Sequence, residues 1–127
     1  MKLLLDTHTF LWFIEDNPRL SVQAKNLLES DADLLLSIAC LWEISIKVST
    51  GKLSLAQPFN IFLPQQLAEN DIEILPISLT PLDVVSGLPF YHRDPFDRML
   101  IAQAMVEKMA VVSADAALDA YSISRLW

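Results

Sequence analysis

Short, mainly apolar runs alternate along this chain with longer stretches in which apolar residues recur at helical spacing. Lys2–Leu5 is a run that stops at Asp6-Thr7; Leu34–Ser37 follows the turn Asp31–Asp33; Ile72–Ile77 and Met109–Ser113 are two more, and Ile123–Leu126 is a weaker fifth. Runs of this length without polar alternation predict strands covered on both faces. Between them, Thr7–Glu15, Val22 to about Glu29, Ile38–Ser49, Phe59 to about Glu69, Thr80–Val85 and Pro95–Lys108 read as helices, with a short one over Asp115–Ala120. The punctuation agrees. Ser21 is a good N-cap, Asn17-Pro18 breaks the first helix, and Thr50-Gly51 is a normal stop for the third. Pro64 is expected to kink or interrupt the helix it falls in.

Strands that alternate with helices, and that are apolar throughout, predict a three-layer α/β/α sandwich around a mainly parallel sheet of four to five strands. The 127 residues suffice for one such domain, spanning 1–127, and are too few for two. Hydrophobic residues make up 53%. Nearly every element must therefore bury a face, or part of the surface is meant for a partner. The apolar positions Leu11, Trp12 and Phe13 fit either use. The longest apolar run, near Ile38–Trp42, is too short to span a bilayer, and Asp6 interrupts the first run too early for a signal peptide. The single cysteine, Cys40, allows no internal disulfide. A soluble, cytoplasmic protein with no membrane association is expected.

The net charge of −7 changes the picture of possible partners. The overall field repels polyanions, so a nucleic-acid substrate would need local basic groups or a bound cation. In open parallel sheets, ligands bind outside the carboxyl ends of the strands. Asp6 directly follows the first strand there, and Asp115 follows the fourth. Glu43 lies nearly two turns into the helix after the second strand. Asp97 lies in the first turn of a helix running antiparallel to the strands, so it starts at the same rim. Each acid has a structural reading of its own. Asp6 and Asp115 suit N-caps, Asp97 suits a capping-box partner to Asp94, and Glu43 suits an ion pair with Lys47 four residues on. Together, four like charges repel unless neutralised, and a hard divalent cation, Mg²⁺ or Mn²⁺, resolves that with oxygen ligands. The two histidines, His8 and His92, are far apart in sequence, and His8 reads more readily as a polar helix residue than as part of a site.

The motifs Leu4-Leu5-Asp6-Thr7-His8, Leu41-Trp42-Glu43-Ile44-Ser45-Ile46-Lys47 with Gly51-Lys52-Leu53, His92-Arg93-Asp94-Pro95-Phe96-Asp97-Arg98-Met99-Leu100-Ile101-Ala102-Gln103-Ala104, Ser113-Ala114-Asp115 and Leu126-Trp127 span nearly the whole chain. In this order they resemble PIN-domain proteins, and more closely the VapC-type toxins of bacterial toxin–antitoxin pairs. The chain departs from that pattern at Leu118, where the family usually has an aromatic, and at Cys40, where a small residue is commoner.

The resemblance implies a Mg²⁺-dependent endoribonuclease whose metal-binding and catalytic acids are Asp6, Glu43, Asp97 and Asp115. It also implies a small antitoxin partner and a homodimer. Arg93, Arg98 and Lys47 are then candidates for guiding the RNA backbone, and Thr7 for orienting Asp6 or the attacking water. Two other classes stand beside this one. A binding or regulatory module that holds Mg²⁺, RNA or antitoxin without cutting has the same acids. A receiver-type signalling domain also gathers acids at strand ends, but it needs an acceptor Asp after its third strand and a Lys near its fifth, and neither is present here.

Overall fold

A computed structural model describes residues 1–127. Five strands, all parallel, form one sheet: β1 (Lys2–Leu5), β2 (Asp33–Ser37), β3 (Ile72–Leu75), β4 (Ala110–Val112) and β5 (Arg125–Leu126). Their order is β3-β2-β1-β4-β5. The register sets Leu4 beside Leu35 on one side and beside Val111 on the other. Six α-helices connect the strands: α1 (Thr7–Ile14), α2 (Val22–Leu28), α3 (Ile38–Ser49), α4 (Phe59–Glu69), α5 (Leu79–Ser86) and α6 (Pro95–Glu107), with a 3-10 turn at Ala116–Ala120. The chain steps outward from β1 to β3 and then returns across β1 to β4. Right-handed crossovers therefore send α1–α4 to one face and α5–α6 to the other, giving the three layers. A receiver-type sheet has the order 2-1-3-4-5, so this topology excludes that alternative.

The elements follow the sequence closely, with three differences. α4 runs unbroken through Pro64, so the expected interruption does not occur. Leu63 and Leu67 hold that helix by burying one face on either side of the proline. The third strand stops at Leu75, two residues short of the apolar run, and the last one is reduced to Arg125–Leu126. No helix is long and apolar enough to cross a membrane.

The core is built from the central strands and α6. Leu3, Leu4 and Leu5 are fully buried, as are Val111 and Val112 beside them. In α6 the whole span Arg98–Ala104 is buried. A helix buried on all sides needs polar residues only where they find partners. Arg98 and Gln103 are the two exceptions inside that span; both terminal nitrogens of Arg98 are partnered, and Gln103 donates to the Pro76 carbonyl at 3.2 Å. Cys40 is a free, buried thiol whose Sγ lies 3.8 Å from the Leu5 carbonyl oxygen.

Candidate active site

The sheet's strand order reverses between β1 and β4, and the crevice outside their carboxyl ends is where such a sheet presents ligand sites. A cavity of about 460 Å³ opens there, lined by Asp6, Glu43, Asp97 and Asp115 together with Asp94, Thr7, Lys47, His8 and Trp12. All four acids singled out in the sequence are thus brought to one place. They arrive from four different elements.

Asp6 ends β1 and caps α1. Its Oδ1 accepts the Thr9 backbone N–H at 2.8 Å, and its Oδ2 has no protein partner. The cap is pinned to the sheet by Thr9, whose Oγ1 donates to the Val112 carbonyl at 2.8 Å. Glu43 sits on α3 with both oxygens engaged. Thr7 Oγ1 donates to Oε1 at 2.7 Å, and Lys47 Nζ lies 3.2 Å from Oε2. Thr7 therefore orients Glu43, not Asp6. Asp115 caps the 3-10 turn through Oδ1, which accepts from Ala117 at 3.0 Å, and its Oδ2 receives His92 Nε2 at 2.9 Å.

Asp97 departs from the capping-box expectation. Asp94 caps α6 by accepting from the Phe96 and Asp97 N–H groups at 2.8 and 3.0 Å. The Asp94 N–H, which the box would direct to the Asp97 carboxylate, goes instead to His92 Nδ1 at 3.2 Å. Asp97 is left facing the cavity, with Oδ2 3.2 Å from His92 Nε2 and Oδ1 without a protein partner. Burial, and then the charges of Asp94, Asp6 and Glu43, push its carboxyl up to about 7, with His92 working against them. At Asp115 burial also pushes upward, but the hydrogen bonds from His92 and Ala117 and the charges of His92 and Arg125 outweigh it. That carboxyl is held below its ordinary range. The same acids act on Cys40 beneath the floor. Its thiol is pushed up to about 12, mainly by burial and further by Asp6, Glu43 and Asp97.

His92 is the residue that the sequence did not give away. Its Nδ1 accepts a backbone N–H, which assigns the ring proton to Nε2, and that nitrogen points at two carboxylates at once. It reaches across 23 residues to Asp115, and no local pattern announces such a contact.

Arg98 is a correction. It is buried, and its guanidinium donates to the carbonyls of Pro89, His92, Val85 and Leu88 at 3.0–3.3 Å while stacking 3.9 Å over the Phe90 ring. Those bonds use its terminal N–H groups and leave none for a phosphate. Arg98 is the clamp of the α5–α6 loop, aided by Tyr121, whose hydroxyl donates to Pro89 O at 2.6 Å and accepts the His92 N–H at 2.8 Å. The clamped loop is what delivers His92 to the acids. Arg93 is exposed and lies outside the cavity lining, whereas Lys47 lines it but is paired with Glu43.

A parallel sheet of this order, with acids gathered at its switch point, is a recurrent enough design to have relatives. The PIN domain family model matches residues 3–123. The chain belongs to the PIN domain family. Among curated PIN-type relatives, it is 29% identical over 122 residues to Ribonuclease VapC22 of Mycobacterium tuberculosis, covering 94% of this chain and 91% of that protein. Two solved assemblies share its fold. VapBC2 from Rickettsia felis, bound to a DNA fragment, aligns with a TM-score of 0.76 at 18% identity over 99% of this chain and 98% of that one. A toxin–antitoxin complex from Klebsiella pneumoniae aligns at 0.65 and 15% identity over 98% and 96%. The cavity of this PIN domain is polar on almost every side: Trp12 is the one large apolar side chain in its lining.

Proposed function

We propose that this PIN domain is a metal-dependent endoribonuclease, the toxin of a toxin–antitoxin pair, with Asp6, Glu43, Asp97 and Asp115 as its working acids. The observation that carries the reading is the convergence of these four carboxylates on one cavity, where burial and the charges of Asp94, Asp6 and Glu43 raise the Asp97 carboxyl to about 7. Its similarity to a protein named as a ribonuclease supports the same class.

The donor set fits a hard divalent cation, Mg²⁺ or Mn²⁺. Carboxylate oxygens dominate the cavity, with His92 Nε2 beside Asp97 and Asp115, and two of those oxygens, Asp6 Oδ2 and Asp97 Oδ1, have no protein partner. Asp6 and Asp97 are therefore the direct ligands. Glu43 and Asp115 have both oxygens engaged, so they act on water: Glu43, oriented by Thr7, and Asp115, oriented by His92. A cation bound there supplies Lewis acidity to the scissile phosphate and lowers the pKa of the attacking water. Asp97, whose carboxyl burial raises to about 7, would be held in its ionised form by such a cation.

Surface chemistry supports the partners that the family resemblance implies. Ile38, Trp42, Phe59 and Ile74 are exposed by 36% or more and line an apolar groove between α3 and α4 with Leu41 and Leu63. A second groove lies between α1 and the segment Leu53–Ala56, lined by Leu11, Ile14 and Phe62. Two apolar grooves on one small domain suit a homodimer contact and an antitoxin segment.

The decisive experiment incubates purified, partner-free protein with mixed cellular RNA in Mg²⁺, in Mn²⁺ and in EDTA, beside an Asp6→Asn variant. Metal-dependent cutting that the variant loses supports the reading. No cutting by folded protein in either metal overturns it in favour of a binding role.

A further inference from the structure

We infer that His8, Trp12 and Trp127 form a stacking platform for an unpaired base of the RNA substrate, on the wall of the acid cavity. The inference rests on the nuclease reading above and adds what holds the strand there.

The electrostatics pose the problem. The chain carries a net charge of −7 and the cavity is lined by acids. Of the basic residues beside them, Lys47 is tied to Glu43 and Arg98 is buried under its carbonyls. A phosphate backbone therefore finds little local positive charge from side chains, and affinity must come from elsewhere. Proteins that hold unpaired strands get it by stacking bases on aromatic rings, which is indifferent to charge.

The cavity supplies such rings on one side. Asp6 caps α1, so His8 emerges at the rim in the helix's first turn, and Trp12 follows one turn later on the same face. Their ring centroids are 5.6 Å apart. Trp127 backs Trp12 at 5.9 Å, so the indole is braced from behind. Both His8 and Trp12 line the cavity. Trp12 is half-buried against the core, which fixes it in place, while His8 is exposed and pairs with none of the acids around it. A braced, partly open aromatic wall costs little entropy to use. Core packing accounts for the buried half of Trp12; it does not account for an exposed imidazole leaning on the open half, tilted 43° to the indole.

The test measures binding and turnover separately. A Trp42→Phe protein, which keeps a ring beside Phe96, leaves Trp12 and Trp127 as its only indole emitters. In Mg²⁺ it is titrated with a short single-stranded oligoribonucleotide made uncleavable by a phosphorothioate backbone, and with the same oligonucleotide carrying abasic sites. The platform predicts quenching by the first, and binding weakened on the order of tenfold for the second, as for His8→Ala and Trp12→Leu. His8→Phe should retain the parent affinity, because a flat ring is what matters. In Mn²⁺ turnover, His8→Ala should raise KM with kcat unchanged. Equal affinity for the base-bearing and abasic strands, or an unaffected His8→Ala, overturns the platform. If the parent still cuts RNA in that case, the nuclease reading stands alone. A parent that neither binds nor cuts RNA removes both.

Discussion

Asp97 shows how much a single residue's surroundings decide. In the unfolded chain its carboxyl titrates near the ordinary 3.8, and in the fold near 7. Between those values the folded state holds the extra proton, so this group makes metal-free stability fall as pH rises, until the loss is complete above about pH 7. Thermal melts in EDTA should show that decline between pH 4 and 7, and added Mn²⁺ should reverse it above pH 7. Mn²⁺ affinity, read by calorimetry, should rise with pH and level off near 7. Asp97→Asn should flatten the pH dependence, raise metal-free stability at pH 8 and abolish tight Mn²⁺ binding. At Cys40 the expected chemistry is inertness. A buried thiol with its pKa pushed to about 12 should resist alkylation in the native protein at pH 8 and react fully once unfolded, which mass spectrometry can follow. Asp6, Asp97 and Asp115 were legible in the sequence because they sit at strand ends and a helix start, where position alone implies a rim; Glu43, nearly two turns into α3, was placed there by helix length. Arg98 was misread because it neighbours Asp97. Consecutive helical residues point about 100° apart, so if Asp97 faces the cavity, Arg98 cannot share its direction. That signal was available. For His92 there was none, since its partners come from a helix start and a loop across the sheet.

At the scale of elements, Arg98 matters for what it holds. Four carbonyls of the α5–α6 connection converge on one guanidinium. Arg98→Ala leaves them unpaired in a buried place, and a loss of roughly 3 kcal/mol is expected in denaturant melts. Arg98→Lys should recover little of it, because an ammonium lacks the planar fork. The end of α6 offers the opposite case. Lys108 closes the helix in the left-handed region at φ 54°, a conformation that costs a side-chain-bearing residue strain. Lys108→Gly should stabilise by about 0.5–1 kcal/mol in the same melts. Element type and order were readable throughout, because buried parallel strands and capped helices leave unmistakable runs. Strand ends were not. Ile72–Ile77 is apolar beyond the last residue that pairs, and pairing depends on the length of the neighbour, Asp33–Ser37, which composition does not encode. α4 likewise survives Pro64 because the buried Leu63 and Leu67 outweigh a local defect.

The whole molecule depends on one topological event. β1 is the middle strand, and it is completed only when β4 returns to its open side. Thr9 then bonds Val112 across 103 residues of chain, and Asp115 reaches the cavity with it. At ordinary rates of translation, those 103 residues take roughly 5–20 s to emerge. During that interval the ribosome carries a nascent chain that displays Asp6, and from Glu43 onward both acids, but cannot assemble the full centre. The site is thus completed only once β4 is in place. A ribosome-stalled chain ending before Ala110 should accordingly fail to bind Mn²⁺ tightly.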